Sequence, residues 1–414
     1  MKFAALILTA ILGVPPYGPA MEMLREDNDR SGVNNHVYEF RNDPVTRAPK
    51  GYSPFYLVHY SRHGSRTDSK TEDYKAVESI LLKAKEGGFL SASGDSLLAE
   101  TRQVLAFHGG NPGHLTRRGE LEQRELARRV FAKYKPVFTK GSRTVRVKSS
   151  TVPRVLVSMA SFTGQLTRLR PDLDFVIESG DAIFAWINNT NSKEHGKVAL
   201  RMRDSMILAI PVDTVTIYKR LFTDPEKGRA LAPDAEEFQH QIWRTAKPAK
   251  ASGVETNVFR YLPEDVIYKW WDVTNRHMYF RHCNSVEWGD NRMKQTIPLV
   301  EKVFAFADDA LATGEVAADL LFGHDYPILA MASWFGLEGV GDRLRYEEIP
   351  MKWNDPTNVP MASNMQMVFY RSRKKDAPIL VKFTYNGRER KVRGLEPVNG
   401  VYYKWEDISS TFRP

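Results

Sequence analysis

Nine residues constrain this chain more than any others: Tyr60-Ser61-Arg62-His63-Gly64-Ser65-Arg66-Thr67-Asp68. They follow the apolar run Phe55-Tyr56-Leu57-Val58, which reads as a buried strand, so a histidine between two arginines is delivered at a strand end. Fixed cations on both sides disfavour a metal ion and favour the neutral, nucleophilic imidazole. Guanidinium groups also grip phosphoryl oxygens two at a time. Gly64 lets the backbone approach a ligand closely at that point. The plain alternative is a structural histidine, so the other parts of a phosphate site have to be found elsewhere in the chain.

Two further segments qualify. A short strand, Thr144 to Lys148, leads into Ser149-Ser150-Thr151-Val152-Pro153-Arg154, where hydroxyl caps and a proline mark a helix start. Helix N-termini attract anions, and Arg154 stands there. A third strand, Ala317 to Phe322, runs into Gly323-His324-Asp325-Tyr326-Pro327, with a helix expected from Ile328 to Phe335. Helical spacing also covers Asp73 to Lys85 and Thr116 to Tyr134, where Thr116 caps and Gly119 permits close packing. Gln366 to Arg371 and Ile379 to Tyr385 form a hairpin, with a further turn at Asn386-Gly387.

Strands alternating with helices imply an α/β fold, a doubly wound mixed sheet with helices on both faces. Ligands of such sheets bind at the carboxyl ends of the strands, where Arg62-His63, Arg154 and His324-Asp325 all fall. Residues 170–295 carry many aromatic and charged residues and helical runs at Ala199 to Ile210 and Asp234 to Thr245. They read as a mainly helical inserted cap domain, leaving 35–169 and 296–414 as the core.

Lys2, the apolar stretch Phe3 to Val14 and Gly18-Pro19-Ala20 have the pattern of a signal peptide spanning residues 1–20. No later segment reaches transmembrane length, so a periplasmic or secreted location without a membrane anchor is expected. Cys283 is the sole cysteine, which excludes an intramolecular disulfide, and the pair His282-Cys283 lacks the other ligands of a zinc site. The net charge of +9 can steer anions. It is spread out, with no basic tract interleaved with aromatics, so nucleic acid is not an expected partner. Oligomeric state stays open.

In four blocks the chain resembles the histidine acid phosphatases, the branch of the histidine phosphatase superfamily that includes phytases and multiple inositol polyphosphate phosphatases. They are Arg62-His63-Gly64-Ser65-Arg66; Gly113-His114-Leu115-Thr116-Arg117-Arg118-Gly119; Arg154 with Ser158 and Phe162 after it; and Gly323-His324-Asp325. Pro360-Met361-Ala362-Ser363-Asn364 is similar to a late segment of the same family. The resemblance implies phosphomonoester hydrolysis through a phosphohistidine on His63. Arg62, Arg66, Arg154 and His324 would hold the phosphoryl oxygens, Asp325 would protonate the leaving oxygen, and no metal or cofactor is needed.

Three positions depart from the family pattern. Asp68 stands where many members have proline, His324-Asp325 replaces the His-Ala-Glu of members nearest the inositol polyphosphate enzymes, and Glu122-Gln123 displaces a helix glutamine. The segments look most like bacterial secreted members, so inositol polyphosphates are the expected substrate class. A sugar-phosphate or broad-specificity phosphatase is the alternative, and a phosphoryl mutase or a non-catalytic polyanion-binding protein are readings of other classes.

Overall fold

The computed structural model describes residues 18–188, 193–287 and 293–414. Its strands are β1 (Tyr52–Arg62), β2 (Thr144–Ser149), β3 (Asp174–Ser179), β4 (Val316–Gly323), β5 (Asn364–Ser372), β6 (Leu380–Tyr385), β7 (Arg388–Arg390) and β8 (Tyr402–Lys404). They make one sheet in the order β3-β2-β4-β1-β5-β6-β7, with β8 paired to β6. The first four strands are parallel and β5 is antiparallel to β1, so the α/β fold with a mixed sheet is as expected.

Every residue of β4 is buried, as a central parallel strand covered on both faces requires. Its one charge, Asp319, is held bidentately by Arg146 of β2 at 2.7 Å per contact and by the Tyr56 hydroxyl of β1 at 2.7 Å. Removing Arg146 would leave an uncompensated buried charge. Along β1 the side chains alternate with period two. Tyr56, Val58 and Tyr60 enter a core with Leu321, Val303 and Ile328, while Leu57 enters another with Val147, Leu320, Leu126 and Phe162. Helices Ile297–Thr313 and Asp325–Trp334 contribute to the first core, Arg117–Lys133 and Pro153–Leu169 to the second. The expected turn after β6 is present: Asn386 and Gly387 both have positive φ, at 49° and 77°, the conformation that asparagine and glycine tolerate.

A third apolar cluster joins Val77, Leu81, Leu97 and Leu98 to Ile217, Phe238, Trp243 and Trp271. The helical layer therefore draws on Glu72–Glu86 and Ala92–Gly109 as well as on helices after residue 210. This differs from a cap confined to 170–295. Strand β3 lies within that range yet extends the sheet, and helices assigned to the 35–169 core pack on the helical layer. Helical periodicity reveals a buried stripe but not which layer the stripe meets. The expected leader falls outside the described residues as far as residue 17. Helix Pro19–Glu26 then adds Ala20, Met21 and Leu24 to the same cluster, so the expected boundary at residue 20 lies within a helix.

The register levels three strand ends. Arg62 pairs with Gly323 and Ser149 with Phe322, so β1, β4 and β2 finish side by side. The three polar turns read from the sequence leave the sheet there.

Candidate active site

The turn after β1 is fixed by backbone contacts before any side chain matters. Gly64 and Gly119 face each other so closely that a Cβ on either would strike the other's backbone or that of Ser65. This lets the N-terminus of helix Arg117–Lys133 sit against the turn. Thr116 caps that helix at Gly119 N (3.3 Å) and donates to Ser65 O (3.0 Å). One turn on, Glu122 accepts from both the N–H and the hydroxyl of Ser65 at 2.7 Å, and Gln123 donates to Arg62 O at 2.9 Å. Ser158 accepts from Gly64 N at 3.1 Å while donating to Arg154 O at 2.8 Å. The sequence marks Glu122 and Gln123 only as a displaced pattern and Ser158 only as a spacing. Their work is to hold the turn.

The His63 ring is oriented by its own turn, with Nδ1 2.9 Å from Gly64 O. A carbonyl can only accept, so Nδ1 carries the proton and Nε2 keeps its lone pair. Burial, followed by Arg62, Arg154, His324 and Arg66, pushes the imidazole well below its ordinary pKa. His324 stands edge-on at 5.6 Å between centroids, with its Nε2 3.3 Å from the Ser150 hydroxyl. Burial and the nearby arginines outweigh Asp325 and lower His324 to about 4.

Three arginines surround His63 electrostatically. Arg62, almost fully buried, donates through Nη1 to Asn34 O (2.7 Å) and Val359 O (2.8 Å), and its Nη2 lies 3.1 Å from Asp325 Oδ2. Arg66 donates through Nη1 to Thr67 O at 2.8 Å. Arg154, lowered to about 10 by burial and then by Arg66, starts its helix beside the Gly113 loop. The Nε–H groups of all three are buried and have no protein partner. Buried donors of this kind are satisfied by an oxyanion, which also relieves the mutual repulsion of the cations.

Asp325 opens helix Asp325–Trp334, three residues earlier than expected, because extended His324 serves as its N-cap. The early start puts the carboxylate within reach of three donors. Oδ2 accepts from Asn34 Nδ2 at 2.9 Å and lies 3.1 Å from Arg62 Nη2, while Oδ1 accepts from Tyr326 N at 3.0 Å. Burial alone would raise this carboxyl. Arg62, His282, Asn34 and His63 together overcome it and hold Asp325 well below the usual carboxylate range. Asn34 was missed because nothing in its polar lead-in segment marks it; only the folded chain brings it here.

The structure thus gathers all six residues singled out from the sequence at one sheet end. Two other basic residues are engaged by carboxylates. Lys148 pairs with Glu178 at 2.7 Å and Arg117 with Glu120 at 2.5 Å. The Gly109–Gly113 loop serves as packing, with Gly113 N donating to Asp68 O at 2.9 Å. Among the described residues, the one cluster of potential metal donors is Asp27, His36 and Glu39. Lys250 lies 3.5 Å from Asp27, and Arg30 and Arg41 lie 3.4 and 2.6 Å from Glu39, so its charge is already balanced.

Residues 56–170 match the family model of the histidine phosphatase superfamily (branch 2). Over that stretch the chain is similar to this branch. The match supports phosphoric monoester hydrolase activity. No curated protein matches the chain. Among solved structures, the chain is similar to the Bifidobacterium longum multiple inositol polyphosphate phosphatase in complex with inositol hexasulfate. That match has 16% identity and a TM-score of 0.71 over 92% of this chain and 97% of the other. It is also similar to the D. castellii phytase (14% identity, TM-score 0.64, 94% and 86% covered) and to the Hafnia alvei phytase (13%, 0.53, 88% and 97%). At these identities the likeness establishes the shared fold, an α/β core with a helical layer.

Proposed function

We propose that this protein is a phosphatase that hydrolyses phosphate monoesters through a phosphohistidine on His63, with inositol polyphosphates as its substrate class. The observation that carries the reading is a neutral histidine, Nε2 lone pair free, among three arginines whose buried Nε–H groups lack partners. Phosphoryl transfer has a loose transition state with charge on the equatorial oxygens, so fixed cations supply most of the catalysis. Arg62, Arg66, Arg154 and His324 take those oxygens.

In the first step the Nε2 lone pair forms an N–P bond as the P–O bond to the leaving group breaks. The departing oxygen takes the Asp325 proton and leaves as an alcohol. In the second step water attacks phosphorus, its proton passes to the Asp325 carboxylate, and the N–P electron pair returns to Nε2. The incoming phosphate monoanion or dianion raises Asp325 from its low free value, which supplies the acid form.

The substrate class is supported by the structural likeness to inositol polyphosphate phosphatases and phytases and by the net positive charge. A mutase reading is less well supported, because a carboxyl dedicated to the leaving oxygen suits one-way hydrolysis. Export is part of the proposal and rests on the leader pattern; among the described residues no helix is long and apolar enough to cross a membrane. The test is phosphate release from inositol hexakisphosphate and p-nitrophenyl phosphate in chelator, from acidic to mildly alkaline pH. Release from both without added metal is expected. Release from neither would overturn the reading.

A further inference from the structure

We infer that Asn34 is a positioning residue for the proton donor: its side-chain amide selects the oxygen of Asp325 that delivers the proton. The inference rests on the proposed role of Asp325 and extends it to a residue outside every recognised block.

The chain reaches Asn34 through an unusual backbone. Val33, β-branched and fully buried, has φ of 51° and ψ of −126°, a conformation that surrounding packing must impose. Around it the segment Asn28–Asn35 is anchored to the helical layer. Ser31 accepts from Trp243 Nε1 at 2.8 Å, Gly32 lies against the backbone of Lys247, and Lys250 pairs with Asp29 at 2.8 Å. Asn34 then turns its backbone and its side chain to the Arg62–Asp325 pair. Its backbone carbonyl accepts from Arg62 Nη1 at 2.7 Å and its side-chain Nδ2 donates to Asp325 Oδ2 at 2.9 Å. The amide orientation is forced, since the reverse would set two acceptor oxygens against each other.

The consequence lies in the two oxygens of one carboxyl group. Oδ2 faces two donors, Asn34 Nδ2 and Arg62 Nη2, so both its lone pairs are engaged. Oδ1 meets only the Tyr326 N–H. A proton added to Asp325 therefore resides on Oδ1, and the inference assigns that oxygen to the leaving group. The charged and titratable groups acting on Asp325 come from several elements. They are Arg62, His63 and Tyr60 from β1 and its turn, His324 and Tyr326 beside it, Arg154 from its own helix, and His282 from helix Glu264–His282. Asn34 is never charged, so its replacement by alanine removes the hydrogen bond without changing the net charge.

The test compares Asn34→Ala and Asn34→Asp, alone and in an Asp325→Asn background, with inositol hexakisphosphate and p-nitrophenyl phosphate. Asn34→Ala is expected to lower kcat on the inositol ester about tenfold, the value of one hydrogen bond to a charged group. p-Nitrophenyl phosphate, whose leaving group needs little protonation, is expected to stay within about twofold. Loss of the donor raises the carboxyl pKa, so the alkaline limb of the inositol ester profile moves to higher pH. The isosteric Asn34→Asp, which sets a carboxylate beside Asp325, moves it further. In the Asp325→Asn background neither change has any further effect. An unmoved alkaline limb, or equal losses on both esters, would overturn the Asn34 assignment. If Asp325→Asn itself slows both esters equally, the proton-donor reading fails instead, and the two failures are distinguishable.

Discussion

Arg62 and Asp325 are joined across adjacent strand ends, Nη2 to Oδ2, at 3.1 Å. The residue next to the proposed nucleophile thus also bonds the proposed acid, and the register that pairs Arg62 with Gly323 sets the distance. Arg62 spends Nη1 on two backbone carbonyls and one Nη2 contact on Asp325, leaving its Nε–H and a remaining Nη2–H for a phosphoryl oxygen. Arg62→Lys cannot serve all of these, because lysine has no planar fork. It is expected to lower kcat/KM at least about 100-fold, approaching 3 kcal/mol of transition-state stabilisation. A change of less than about threefold, in steady-state kinetics, would contradict the shared role.

Phosphate binding should stabilise the protein more than a generic anion does. Arg154 is depressed by burial and by Arg66, a cost that an oxyanion among the cations relieves. Inorganic phosphate at about 100 times its Kd is expected to add about 2.7 kcal/mol, read as a rise in Tm that chloride at matched ionic strength does not give. Arg154→Met should abolish most of that rise.

Stability should fall on acidification even as activity rises. His59 is fully buried, accepts from Gln366 Nε2 at 3.0 Å through Nδ1, stacks on Phe162, and is lowered by burial to about 3. The unfolded chain binds its proton near the ordinary value while the folded chain does not, so this contribution is present above about pH 6.5 and is lost below it. At pH 5 the loss from this one histidine is about 2 kcal/mol. His324, lowered to about 4, acts in the same direction. His59→Leu is expected to flatten the decline of Tm between pH 7 and 5, and an unchanged slope would contradict the assignment.

Glu122 should matter as much as the residues that touch substrate. Glu122→Ala leaves the buried N–H and hydroxyl of Ser65 without their acceptor. A cost of about 2–3 kcal/mol in denaturant unfolding is expected, with kcat reduced because the Gly64–Arg66 backbone loses its anchor. Full activity with lowered stability would assign Glu122 to folding alone.

The sheet and the strand-end placement of the six candidate residues were legible because each sits where an apolar run ends in a polar turn, a local signal. The three strand ends are adjacent because β4 lies between β1 and β2, which local patterning does not state. Asn34, Glu122 and Ser158 were illegible as site residues for a related reason. Each acts through hydrogen bonds to residues far away in sequence, and asparagine, glutamate and serine are ordinary residues in polar segments and helices. The helical layer was misdrawn for the same cause. Val77, Leu81 and Trp243 show buried faces, and only the fold shows that they meet one another.

The central claim is that Nε2 of His63 carries the phosphoryl group between ester and water. The stereochemical course at phosphorus, measured with an isotopically chiral phosphate monoester, tests it most directly. Two successive in-line displacements predict overall retention of configuration. Overall inversion would mean a single attack by water and would contradict the account.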